Sequence, residues 1–317
     1  MDEIRKLKIG LIGSGMIGMS LAALFTGNGF TAKVLTMGPS YTEQGKRSYD
    51  DMFKTIKERG LLTEKQVAAS EKRLSFTESY EDLKDMEVIF ECAFEDLKVK
   101  HDIYKLIEQH CVRLKAMAST TSALSADDLS KGCTLYKDRM VVAHPFNPPH
   151  LVPFVELVKN DKTTEEAAQL ILEVLKACGR EVIVMKRGAP GFIANRLQTA
   201  MLREAIHIVE QGYADARDVD RALKYSFSPR YTSAGIFEHH DAAGLDLVYK
   251  VVEYLYPSLC DDKEPQEFYR SRVKTGKYGQ KTGEGTYTWT QEEKDDFKKR
   301  ATEPYWKYFK WDCPEDY

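Results

Sequence analysis

Apolar and polar positions follow two rhythms along this chain. Up to about residue 187, short apolar runs alternate with longer amphipathic stretches. Beyond that point only the longer rhythm persists. The first run (Ile9, Leu11, Ile12) breaks at once into Gly13-Ser14-Gly15-Met16-Ile17-Gly18, and an apolar helical pattern follows at Leu21, Ala22, Leu24 and Phe25. This order predicts a buried strand, a sharp turn and a helix stopped near Asn28-Gly29. The pattern predicts further strands at 31–37, 74–76, 88–93, 116–121, 140–143, 154–158 and 182–185. Helices are expected at 48–59, 64–73, 98–110 and 164–178. Such alternation implies an α/β fold, a Rossmann-type, doubly wound, mainly parallel sheet covered on both faces. After Gly188-Ala189-Pro190-Gly191 the strand signals fade. Helices are expected at 195–211, 216–225 and 245–255. The expected division is therefore a nucleotide-binding domain over 1–187 and an all-helical C-terminal domain over 188–317. The aromatic tail from Pro304 onward is expected to pack on its own domain or on a partner subunit.

The glycine turn is the first candidate site. Gly13 suits the tight turn, Gly15 lets the backbone approach a pyrophosphate, and Gly18 lets the helix pack against the strand. Amides of the helix start, at Met16 and Ile17, would face the phosphates. An ordinary glycine-rich βα turn is the alternative. An NAD site usually ends the second strand with an acid that binds the ribose; here Thr36 stands there, followed by Met37. NAD is the expected cofactor. NADP is the alternative, with Ser40, Lys46 or Arg47 as candidates to reach its phosphate.

Composition narrows the class. The chain has 317 residues, 43% hydrophobic and 30% charged, with a net charge of −3, which offers no general attraction to nucleic acid or an anionic membrane. No apolar run is long enough to predict a membrane span, and the charged N-terminus does not resemble a signal peptide. Six cysteines lie singly, with no C-x-x-C pair, so neither a zinc site nor a disulfide framework is expected, and a cytoplasmic protein with reduced thiols is the simplest reading. His239-His240-Asp241 is not expected to bind metal, because adjacent side chains diverge.

The candidate chemistry sits at strand ends. His144 opens His-Pro-Phe-Asn-Pro-Pro directly after an apolar strand, and the prolines place it on a strand-to-loop edge. Ligands of open parallel sheets bind at the carboxyl ends of strands, and a histidine there can act as acid or base. Glu156, in Val155-Glu156-Leu157-Val158, is a lone carboxylate in an apolar strand and needs a partner. A His144–Glu156 pair supplies one, although each could be satisfied separately. Ser119 to Ser122 end another strand, where hydroxyls hold a substrate oxygen or merely cap the following turn. Asn195 opens the first helix of the second domain, facing a cleft or serving as a cap.

Together these segments resemble the 3-hydroxyacyl-CoA dehydrogenase family, including its lambda-crystallin (L-gulonate dehydrogenase) and carnitine dehydrogenase branches. The resemblance is carried by Gly13, Gly15 and Gly18; by Glu95-Asp96-Leu97-Lys98-Val99-Lys100; by Ser119-Thr120-Thr121-Ser122; by His144-Pro145-Phe146-Asn147-Pro148 through Val155-Glu156; by Pro190-Gly191-Phe192 through Asn195-Arg196; and by Lys277 through Gly285. It implies a nicotinamide-dependent oxidoreductase and a homodimer, with the active site in a cleft between the domains. It implies His144 as general base, oriented and charge-stabilised by Glu156. Ser122 and Asn195 would hold the substrate oxygen, and Glu95, Lys100 and Ser122 would contact the cofactor. The leading substrate is a 3-hydroxyacyl-CoA such as 3-hydroxybutyryl-CoA. His144 through Pro153 and Arg230-Tyr231 look more like the gulonate and carnitine branches, in which Arg230 would pair with a free carboxylate. A non-catalytic nicotinamide-binding protein and an FAD enzyme are the alternatives of another class.

Overall fold

The computed structural model describes residues 2–315. Its chain forms two compact units, one running to Ile193 and taking back the tail from Thr302, the other spanning Ala194–Ala301.

The first unit is built on one eight-stranded sheet: β1 Lys8–Ile12, β2 Thr31–Leu35, β3 Leu74–Thr77, β4 Val88–Glu91, β5 Ala116–Ser119, β6 Met140–Pro145, β7 Phe154–Lys159 and β8 Glu181–Val184. Their order is β3-β2-β1-β4-β5-β6-β7-β8. β1 to β6 are parallel; β7 returns antiparallel to β6, and β8 runs parallel to β7. The order reverses between β1 and β4, which opens a crevice outside their carboxyl ends.

Period-two alternation divides the strands between two cores. Ile9, Leu11, Val88, Phe90, Val141, Ala143, Val155 and Leu157 face one side, covered by the Met16–Gly27 and Glu165–Ala177 helices. Ile12, Ile89, Met117, Met140, Val142 and Val158 face the other, against Tyr104 and Ile107 of the Leu97–His110 helix. Glu91, Ser119, His144 and Glu156 carry on this second parity, so they share one face of the sheet at its carboxyl edge.

Two expectations changed. The helix expected at 48–59 runs over Pro39–Glu58, because Gly38 and Pro39 begin it directly after β2. The tail belongs with the first unit. Trp311 lies over Gly27, where a Cβ would come within 2.2 Å of its ring, and it stacks on Phe309 and edges onto Phe53. Arg73 donates to the Pro314 carbonyl at 2.8 Å, and Arg5 pairs with Asp312 at 2.6 Å.

The second unit contains the helices Ala194–Glu210, Ala216–Tyr225, Ile236–Ala243, Leu245–Leu255 and Glu267–Lys274, and all but the last residue of Gln291–Thr302. Only isolated bridges, at Gly279, Glu284 and Thr288, interrupt the helical pattern among its described residues. No described helix is long and apolar enough to cross a membrane.

Candidate active site

The glycine turn fits a dinucleotide. Gly13 has φ +110°, and a Cβ on it would lie 2.7 Å from the Cys92 carbonyl. A Cβ on Gly18 would lie 2.0 Å from the Gly13 carbonyl, so only glycine lets the helix close on the turn. Above Gly15 the space is open, and the Met16–Gly27 helix starts there with no side-chain cap and no acid in its first turn. Uncapped amides beside open space are what a pyrophosphate needs. Met16 is exposed and Ile17 half-buried. Thr36 is buried instead of presented: its hydroxyl lies 2.7 Å from that of Thr42 and donates to the Thr77 carbonyl at 3.5 Å. Arg47, a candidate for a phosphate, pairs with Glu43 on its own helix.

Behind the turn lies a buried polar cluster. Lys100 is 1% exposed, and its ammonium donates to Glu91 Oε1 at 2.7 Å and stands 3.6 Å from Glu95 Oε2. Removing an ammonium from water costs several kcal/mol, so these carboxylates are what permits its burial. The Ala93 amide also donates to Glu91 Oε1 at 2.7 Å, while Tyr104 at 2.9 Å and Ser119 at 2.7 Å donate to Oε2. Burial, then the Glu91 charge, hold the Tyr104 phenol well above its ordinary value, which keeps it a donor. Glu95 Oε1 accepts from the Thr121 hydroxyl at 2.5 Å and the Ser122 and Ala123 amides at 3.0 and 3.1 Å. Partial burial pushes the Glu95 carboxyl up. The Thr121 hydroxyl, the Lys100 charge and the two amides outweigh it and hold the group below the usual carboxylate range.

The hydroxyls after β5 divide their roles. Thr121 caps the turn, accepting from Ala123 and Leu124 amides at 3.3 and 3.0 Å, while Ser122 is exposed.

The acid–base candidate comes from the antiparallel return. His144 on β6 stands directly opposite Glu156 on β7. Nδ1 of His144 lies 2.9 Å from Glu156 Oε2, with both residues buried. A carboxylate accepts only, so Nδ1 carries the proton and Nε2 is the ring's remaining site. Among the described residues Nε2 makes no hydrogen bond. Glu156 Oε1 accepts from the Ile193 amide at 2.7 Å. The rings of Phe146 and Phe192 flank the imidazole, each 5.3 Å away between centroids. Phe192 has φ +50°.

Three supports escape a reading of the sequence. Arg180, buried, donates to the Pro149 and Val152 carbonyls at 3.1 and 3.2 Å and so pins the loop after His144. Ser20 of the glycine-turn helix lies 2.7 Å from His150 Nδ1 and accepts from the His150 amide at 2.9 Å. Glu91 gave only the signal of an acid inside an apolar strand.

The second unit holds the remaining two candidates. Asn195 is half-buried in the first turn of its first helix. Arg230 donates to Nε2 of His239 at 2.5 Å.

A dinucleotide cradle at the switch point and a histidine–carboxylate pair at the same sheet edge define the class: an NAD-dependent oxidoreductase acting on a CH–OH group. The comparisons with known proteins agree. The 3-hydroxyacyl-CoA dehydrogenase NAD binding domain matches residues 8–188, and the C-terminal domain of that enzyme matches 191–289. The chain belongs to the 3-hydroxyacyl-CoA dehydrogenase family. It is 31% identical to an L-carnitine dehydrogenase of Oceanobacillus iheyensis over 80% of this chain and 81% of that protein. It is 27% identical to the 5-formyl-3-hydroxy-2-methylpyridine 4-carboxylate 5-dehydrogenase of Mesorhizobium japonicum over 90% and 91% of the two chains. A solved structure of a dehydrogenase of that name superposes with a TM-score of 0.85 at 25% identity, covering 94% of this chain and 96% of the other. The (S)-3-hydroxybutyryl-CoA dehydrogenase of Ralstonia eutropha superposes with a TM-score of 0.74 at 27% identity, over 90% and 99%.

Proposed function

We propose that this chain reversibly oxidises a 3-hydroxy group to a 3-oxo group on a small substrate with a free carboxylate. Bound NAD supplies the hydride acceptor. His144 takes the hydroxyl proton at Nε2, since its Nδ1 is committed to Glu156. In the reverse direction the protonated ring returns it. Glu156 fixes the ring plane and tautomer and offsets the charge the ring gains. In this reading Ser122 and Asn195 hold the substrate oxygen, and Glu95 and Lys100 stand on the cofactor side.

The observation behind the substrate class is Arg230. Among the described residues it makes no ion pair, and its hydrogen-bond partner is an imidazole. The packing of His239, and then the Arg230 charge, hold that ring below its ordinary value, so it accepts as a neutral group. A guanidinium without a carboxylate is suited to take one from a substrate. The names of the carnitine and pyridine-carboxylate relatives describe free acids, which supports the same reading. The segment Lys277 through Gly285, with its likeness to the acyl-CoA enzymes, favours a CoA thioester as the second reading.

Initial rates of reduced-nicotinamide formation with L-carnitine, L-gulonate and 3-hydroxybutyryl-CoA, each with NAD and NADP, test it. Turnover of a free acid with NAD is expected, with Arg230→Met raising its KM by about tenfold or more. Turnover of the CoA ester alone overturns the carboxylate reading. A higher rate with NADP overturns the cofactor assignment.

The second unit also supports a homodimer. Five of its helices bury none of their residues, and Leu245, Leu247 and Tyr249 are 62%, 56% and 62% exposed. Apolar helix faces of this extent need a cover, and a second copy supplies one. Light scattering of the purified chain should give twice the 36.2 kDa chain mass. A mass equal to one chain overturns the dimer.

A further inference from the structure

We propose that Glu91 is a positioning residue: through Lys100 and Glu95 it fixes the turn 121–124 that presents Ser122. Its link to the reaction rests on the reading of Ser122 given above.

The path is continuous. Glu91 stands at the end of β4 and is 1% exposed. Four donors converge on it: the Ala93 amide, the Lys100 ammonium, the Tyr104 phenol and the Ser119 hydroxyl. An ionised carboxylate has about four lone-pair sites, so this set fills it and leaves nothing to offer a substrate or cofactor. Such saturation marks a structural anchor. What it anchors is Lys100, whose other carboxylate is Glu95. Glu95 in turn receives three donors from Thr121, Ser122 and Ala123. Ser119 adds a second hold, because it ends β5 immediately before this turn. Glu91 therefore grips the turn from both sides, by Ser119 directly and by Glu95 across Lys100.

Replacing Glu91 with Gln keeps the shape and removes the charge. An amide places a donor toward one of its two donor pairs whichever way it is flipped. Lys100 is then left with Glu95 as its single counter-charge, and the Glu95 hold on the turn is disturbed.

Hydrogen exchange of the full-length Glu91→Gln chain, followed by mass spectrometry, reads this without any substrate. The Ser122 and Ala123 amides should exchange about tenfold faster or more, with the amides of β1 and β6 unchanged. With the substrate from the rate panel, kcat should fall by about tenfold, and by more than the KM for NAD rises. Unchanged exchange at 121–124 overturns the proposal, as does faster exchange with unchanged kcat. Should no panel compound turn over, the substrate reading fails, and the exchange result alone then decides the hold on the turn. If Glu91→Gln does not fold, Tyr104→Phe, which removes one donor, must show the same local change in smaller measure. No local change in that variant overturns the proposal.

Discussion

Two buried clusters stand on one face of the same sheet edge, and they differ in what they leave unsatisfied. Around Glu91 every carboxylate oxygen is filled, and Lys100 sits between two acids. Around His144 one ring nitrogen is held by Glu156 and, among the described residues, the other has no hydrogen bond. Both clusters offset the cost of burying charge by pairing. A filled cluster can only hold a shape, whereas one with an open nitrogen can exchange a proton. Burial and charge alone do not separate these cases; the count of donors and acceptors does.

The largest effect should come from the open nitrogen. His144→Gln should leave NAD affinity unchanged and lower turnover by at least about 100-fold, the lower end of what a positioned acid–base group contributes. Retained turnover would show that the open nitrogen is not the base and would erase the contrast between the clusters. Glu156→Gln should follow. Glu156 accepts on both oxygens, from His144 Nδ1 and from the Ile193 amide, so an amide sets a donor against one of them. Part of the same term should be lost, about tenfold or more, measured as kcat against pH. A turnover equal to wild type would mean that the carboxylate does not set the tautomer.

This contrast explains what was legible in the sequence. The strands, the glycine turn and the long helices were visible because each is a local period. The two acids, Glu91 and Glu156, gave the same signal, a carboxylate inside an apolar strand. Only the second was given a partner, because His144 invited one. The direct opposition of the pair depends on β7 running antiparallel, which a twelve-residue spacing does not specify. The cofactor contact expected of Lys100 came from the resemblance of its segment, which carried no sign of its burial against Glu91. Trp311 against Gly27 left no local trace, since its partner lies far away in the chain. The helices Ile236–Ala243, Glu267–Lys274 and Gln291–Thr302 went unpredicted, the last two because they are highly charged and carry little apolar period.

The filled cluster should declare itself through acid stability. Glu95 is held below the usual carboxylate range, so its contribution is complete above that range and is lost as pH falls through its lowered value. Thermal melts should therefore show Tm falling on the acid side, and Glu95→Gln should flatten that limb while lowering Tm at neutral pH. An unchanged acid limb in Glu95→Gln would mean that the turn 121–124 is not secured by an ionised carboxylate.

The smallest effect should come from the tie between the glycine-turn helix and the loop after His144. Ser20 is buried on that helix, and its hydroxyl meets both the amide and Nδ1 of His150. Ser20→Ala removes both contacts in a buried place, a loss of about 1–3 kcal/mol if no water replaces them. In a domain of this size that lowers Tm by about 2–12 °C, at about 2–4 °C per kcal/mol. His144 keeps Glu156 and its two flanking rings, none of which Ser20 touches, and the loop keeps its bonds from Arg180. Turnover should therefore change by less than about threefold, as expected for a residue outside the acid–base pair. A tenfold loss of turnover at unchanged NAD affinity would show that the open cluster is held from the cofactor helix, and the two clusters would then share a dependence on distant anchoring.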